Sequence, residues 1–147
     1  GRLRRSKHAR RGLEVVARGG AAVREVPLLG AVAAGLPIEP LAAGEEIALP
    51  EAWLGRGRTY VLRVRGESMI EEQIRDGDLV IVEEREVARN GETVVALVDG
   101  EGVTLKRFRR EGGSVVLEPA NQALRPLVLP EERVRVQGVV VGVVRRL

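Results

Sequence analysis

A chain of 147 residues is long enough for one domain with a packed core plus an extension. It has no cysteine and a single histidine, His8, which excludes disulfides, thiolate catalysis and cysteine-ligated zinc. A histidine-built metal site has no ligands to draw on, and no metal or cofactor is expected. The net charge of +3 is spread unevenly: residues 1–30 carry eight Lys/Arg against Glu14 and Glu25, whereas the rest carries 16 basic and 19 acidic side chains.

With only 2% aromatic residues, the core has to be built from Val, Leu, Ile and Ala. No apolar run approaches the roughly 20 residues of a membrane span, and no signal-peptide pattern appears, so a soluble, cytoplasmic chain without a membrane partner is expected. The basic stretch over residues 2–11 suits phosphate contacts, and a solvated arm accounts for it equally well. Leu3 and residues 12–16 suggest two short strands around the basic turn Ser6-Lys7-His8, an isolated hairpin of marginal stability. Residues 17–25, with Gly19-Gly20-Ala21-Ala22, read as a flexible linker.

From Val26 the character turns apolar. The small-residue segment 30–37 is too short and too Gly-bounded for a helix; it suits either a plain loop or a backbone lying extended in a groove. Residues 46–49 suggest a short strand, and 50–54 a single helical turn with Pro50 at its start. Residues 60–64 alternate as a strand and run into Arg65-Gly66-Glu67-Ser68-Met69. Asp76-Gly77-Asp78 predicts a tight turn, 79–82 a buried strand, and Arg89-Asn90-Gly91-Glu92 a second hairpin. Strands are expected at 93–98, 103–109, 114–118, 127–129 and 134–144, with an irregular stretch from Pro119. The spacing predicts a mainly β, antiparallel domain over 26–147.

Ser68 stands at a strand end behind a glycine, a position suited to a nucleophile. The competing reading is a turn serine or helix N-cap, because Glu71 three residues on completes a capping-box pattern. A serine nucleophile needs a base. His8 lies in the basic arm, and Asp76 and Asp78 read as turn residues. Lysine remains. The chain has two, Lys7 and Lys106, among 24 basic residues, and titration is the property that arginine lacks. Period-2 geometry puts Thr104, Lys106 and Phe108 on one face. Sharing a face with the only phenylalanine suggests desolvation, which favours the neutral amine and makes lysine a usable base. A surface lysine on an edge strand is the alternative.

Ala34-Gly35, Gly66-Glu67-Ser68-Met69, Asp76-Gly77-Asp78 and Val103-Thr104-Leu105-Lys106-Arg107, followed by Leu117-Glu118-Pro119-Ala120-Asn121 and residues 138–144, closely resemble the LexA family of SOS-response repressors. The resemblance runs from 26 to 147, with 38 residues from serine to lysine. Residues 1–16 resemble the closing wing of that family's winged helix-turn-helix domain. Glu67 and Gln73 depart from the family's pattern.

This resemblance implies a LexA/signal-peptidase-like antiparallel β domain acting as a serine peptidase on itself. The catalytic residues would be Ser68 and Lys106, and the bond cut would lie between Ala34 and Gly35. It further implies stimulation by RecA filaments on single-stranded DNA, and homodimerisation, with 134–144 the candidate contact. Operator DNA would be bound only by a full-length protein carrying the helix-turn-helix core. A UmuD-like subunit of a lesion-bypass polymerase and a non-catalytic dimerisation domain are the other readings.

Overall fold

The computed structural model describes residues 22–33, 38–40 and 45–145. The basic arm, residues 17–21 of the expected linker, and both Ala34 and Gly35 lie outside the described residues.

Among the described residues the chain forms β1 (Val23–Val32), β2 (Glu39–Pro40), β3 (Glu46–Pro50), β4 (Thr59–Val64), β5 (Leu79–Glu84), β6 (Thr93–Val98), β7 (Gly102–Glu111), β8 (Ser114–Glu118), β9 (Leu127–Pro130) and β10 (Val134–Val144). They join in one sheet in the order β2-β1-β4-β5-β10-β6-β7-β8-β9, with β3 also paired to β1. The pairs are antiparallel except β1 with β4, which run parallel from Leu28↔Val61 to Val32↔Val64 with an irregularity at Leu28/Gly30. The mainly β, antiparallel class expected from turn spacing is therefore the one observed.

Two features differ from the sequence reading. β1 takes in Val23–Glu25, which composition had assigned to the linker, because Val26 and Leu28 alternate inward against Ile47 and Leu49 of β3. The turn at Arg89–Glu92 does not close a hairpin between β5 and β6. The closing strand β10 lies between them, pairing β6 through Val134–Val139 and β5 through Gly138–Val144. Gly138 sits where both ladders overlap; a Cβ there would fall 2.4 Å from Val82 Cγ1, so only glycine lets the strands meet.

The core is aliphatic, as the scarcity of aromatics requires. One cluster joins Val32, Leu62, Val64, Met69, Val103 and Leu105; a second surrounds Phe108 with Val94, Ala96, Val115 and Leu117. Ser68 and Lys106 each neighbour a member of the first cluster in sequence. The site is thus mounted on the packed part of the sheet.

Candidate active site

The Ser68 turn is an excursion inside a β-hairpin. Strands β4 and β5 pair from Thr59↔Glu83 to Arg63↔Leu79, and the hairpin is closed at its base by Val64 N–H to Asp78 O (2.8 Å) and Gly77 N–H to Val64 O (2.7 Å). Residues 65–76 therefore bulge out between two fixed points. Gly66 adopts φ +92°, open to glycine at little cost, and its N–H donates to Asp76 Oδ1 at 2.8 Å. Met69, 1% exposed, plugs the turn into the core, which leaves Ser68 half-buried beside it.

The base of the excursion is held again by a charge pair. Asp78 is buried, accepts the Arg75 N–H at 2.8 Å, and receives Arg145 through both Nε (2.8 Å) and Nη2 (2.7 Å). Arg145 Nη2 also donates to Gln73 O at 2.7 Å. The bidentate guanidinium holds the Asp78 carboxyl below its ordinary range, with the Arg75 amide adding to the effect.

Lys106 reaches the serine from β7. Its Nζ lies 3.4 Å from Ser68 Oγ and 2.5 Å from Thr104 Oγ1, two residues back on the same face. The cross-strand partners are Val94 opposite Lys106, Ala96 opposite Thr104 and Leu117 opposite Phe108, and opposed residues share a face. Lys106 therefore projects among Val94, Ala96, Leu117 and Phe108, all buried. Burial pulls its amine down from 10.5 to about 8. Within reach of neutrality at ordinary pH, it can accept a proton from a hydroxyl at hydrogen-bond distance. Ser68, Thr104 and Lys106 open into a groove of about 530 Å³ walled by Leu117, Pro119, Leu124 and Leu127, of the size and mixed lining that suits an extended peptide.

Residues 27–141 match the family model described as Peptidase S24-like. The chain belongs to that family. It is 51% identical over 122 residues to the LexA repressor of Gluconacetobacter diazotrophicus, covering 82% of this chain and 48% of that protein. It is 49% identical over 123 residues to the LexA repressor of Cereibacter sphaeroides, covering 82% of this chain and 54% of that one. The resemblance to the carboxyl-terminal domain of the LexA family thus stands, and the chain spans about half the length of the curated relatives it matches.

In this S24-like domain the capping-box reading of Ser68 fails. The short 3₁₀ turn Ile70–Glu72 has Met69 as its N-cap without a side-chain cap, and the Glu71 carboxylate accepts the Gln122 N–H at 2.8 Å instead. Ser68 Oγ is left to Lys106. The residues that sequence reasoning brought together, Ser68 and Lys106, are together; Ala34 and Gly35 lie outside the described residues, between Ala33 and Ile38. The hydrogen bond of Thr104 to Lys106 was missed, although its place on the Lys106 face was the available signal. The grips of Asn121 on Glu67 and Arg145 on Asp78 had no local signal at all.

Proposed function

We propose that this chain is the self-cleaving, dimerising part of an SOS-type transcriptional repressor, with Ser68 as nucleophile and Lys106 as general base. The observation that carries the reading is the Lys106 Nζ lying 3.4 Å from Ser68 Oγ inside an apolar setting that favours the neutral amine. The substrate is the chain itself, at the bond between Ala34 and Gly35. Both ends of that segment support this. Val32 belongs to the same core cluster as Met69 and Leu105, Ile38 packs against it, and the Arg65 N–H donates to Val32 O at 2.9 Å. At about 3.5 Å per residue, Ala34 is tethered within about 7 Å of Val32, which the Arg65 N–H ties to the start of the Ser68 excursion.

Neutral Lys106 takes the Ser68 proton as Oγ attacks the Ala34 carbonyl. The Ser68 N–H, which has no acceptor among the described residues, supplies a donor for the oxyanion. Lys106 returns the proton to the Gly35 nitrogen as the peptide bond breaks, and water then hydrolyses the Ala34 ester to free the serine. Tethering supplies the substrate at high effective concentration, so one slow turnover suffices. A RecA filament on single-stranded DNA favours the docked segment in this reading, in the cytoplasm, and operator DNA is held by a helix-turn-helix domain in the whole protein.

Homodimerisation has a physical basis in β10. Its distal part, from Val140 to Val144, pairs only with β5 among the described residues, leaving the other edge open with Val141 and Val143 exposed. An open, Val-rich edge suits pairing with its own copy. Substitution tests the chemistry: Ser68→Ala and Lys106→Arg each stop self-cleavage, since arginine stays charged. Cleavage that persists in Lys106→Arg rules out Lys106 as the base.

A further inference from the structure

The Ser68 turn is gripped from outside by a stretch some fifty residues further along the chain. Ala120 N–H donates to Ser68 O at 2.8 Å, and Asn121 Nδ2 donates to Glu67 O at 2.8 Å. Gln122 N–H donates to the Glu71 carboxylate at 2.8 Å, and Glu71 N–H returns a bond to Ala120 O at 2.7 Å. Of the groups that this stretch contributes, Asn121 Nδ2 alone belongs to a side chain. The same side chain organises its own loop, with Oδ1 accepting the Ala123 N–H at 2.9 Å in an Asx turn. That loop delivers Leu124 to the groove wall.

Peptide planarity gives these bonds a consequence. Glu67 O and the Ser68 N–H belong to one rigid peptide unit; Ser68 O and the Met69 N–H belong to the next. In a trans peptide the amide points away from its carbonyl, so fixing the oxygen fixes the direction of the hydrogen. Ala120 therefore pins the peptide plane after the nucleophile, and Asn121 the plane before it, where the Ile70 N–H makes a second, longer bond to Glu67 O at 3.2 Å. Neither the Ser68 nor the Met69 N–H has an acceptor among the described residues. Two pinned planes with unspent amides are what a preorganised oxyanion site requires.

We propose that Asn121 is a positioning residue for this reaction: by holding the Glu67 carbonyl it aims the Ser68 amide at the oxyanion. The inference rests on the Ser68–Lys106 reading. Asn121 makes no contact with the reacting atoms and acts through the peptide plane alone.

Asn121→Asp is the discriminating variant. It is isosteric and keeps the Oδ1 acceptor of the Asx turn, but presents a carboxylate oxygen to the Glu67 carbonyl where a donor stood. Asn121→Ala removes both functions. In the full chain, three quantities are read for each: the first-order rate of self-cleavage from neutral to alkaline pH, the rate at which a fluorophosphonate labels Ser68, and Tm. Ser68 Oγ bonds to the phosphorus of the fluorophosphonate as Lys106 takes its proton, and fluoride leaves to solvent. The phosphoryl oxygen gains negative charge on the way, so the probe samples the same amides without the tethered segment. Cleavage and labelling are expected to fall together by about tenfold to a hundredfold, since misaiming one donor costs less than the loss of a whole donor group. The pH midpoint of cleavage stays at the wild-type value because Lys106 is untouched, and Asn121→Asp keeps a Tm close to wild type.

Labelling of Asn121→Asp at the wild-type rate, or a midpoint that moves with the rate, overturns the proposal. So does a loss of activity matched by a loss of folded protein in Asn121→Asp. A wild-type chain that neither cleaves nor labels brings down the Ser68–Lys106 reading and this inference with it. Wild-type activity in both variants brings down the Asn121 role alone.

Discussion

Val94 stands directly across from Lys106 in the β6–β7 ladder, and it is fully buried. The cross-strand neighbour of the amine is thus a hydrocarbon, and the charged form has exchanged water for it. A lysine held near 8 when folded but at 10.5 when unfolded costs stability at all pH values below about 8. The cost is relieved as pH rises from about 8 to 10.5, where the unfolded chain binds the extra proton.

Lys106→Met should therefore stabilise the fold at neutral pH while abolishing cleavage. A gain of about 1–3 kcal/mol is expected from removing the buried ammonium. Urea unfolding at several pH values checks it: the gain over wild type should shrink as pH approaches 10.5. A gain independent of pH, or a loss, contradicts the assignment of Lys106 as a desolvated amine.

The same shift predicts the pH–rate profile. Cleavage requires the neutral amine, so its rate should climb about tenfold per pH unit below the transition and level off above it. The midpoint should fall near 8, well below that of an ordinary lysine. Single-turnover rates measured by gel densitometry give this profile directly. A midpoint near 10.5 would mean that Lys106 is solvated in the reactive state.

Asp78 and Arg145 join the end of β10 to the foot of the Ser68 excursion. Asp78→Ala removes the carboxylate that Arg145 and the Arg75 amide share, leaving Arg145 only the Gln73 carbonyl, and should lower Tm by several degrees in a domain of this size. A carboxyl held below its ordinary range contributes stability above its unfolded value, and that contribution is lost as pH falls toward the folded value. Calorimetry should accordingly find the difference between wild type and Asp78→Ala largest near neutrality and smaller in acid.

Gln73 closes the 3₁₀ turn in the left-handed region, at φ 64°, where a side chain is strained and glycine is not. Gln73→Gly should stabilise by about 1 kcal/mol, the usual size of that strain. The Arg145 bond goes to the Gln73 carbonyl and survives the change. A lower denaturation midpoint would mean that the glutamine side chain contributes more than its backbone costs.

Much of the sheet was legible because local chemistry bounded it. β8 and β10 lie where their Val-rich runs and flanking turns put them, and the aliphatic core follows from composition. The parallel pairing of β1 with β4 and the insertion of β10 between β5 and β6 were not legible, since each depends on partners far along the chain. β1 was hidden further by Gly30-Ala31, small residues that pack in a strand without announcing one. At the site, Ser68 and Lys106 emerged from the lack of any other base and from the Thr104–Phe108 face. The Asp78–Arg145 and Asn121–Glu67 contacts span 67 and 54 residues, and no periodicity carries that far.

The most direct measurement is intact-mass spectrometry of the wild-type chain after alkaline incubation, at about pH 10, where the base is neutral. Two fragments should appear, one ending at Ala34 and the other beginning at Gly35, and neither should appear in Ser68→Ala. An uncut wild-type chain, a cut at another bond, or the same two fragments from Ser68→Ala would contradict the account.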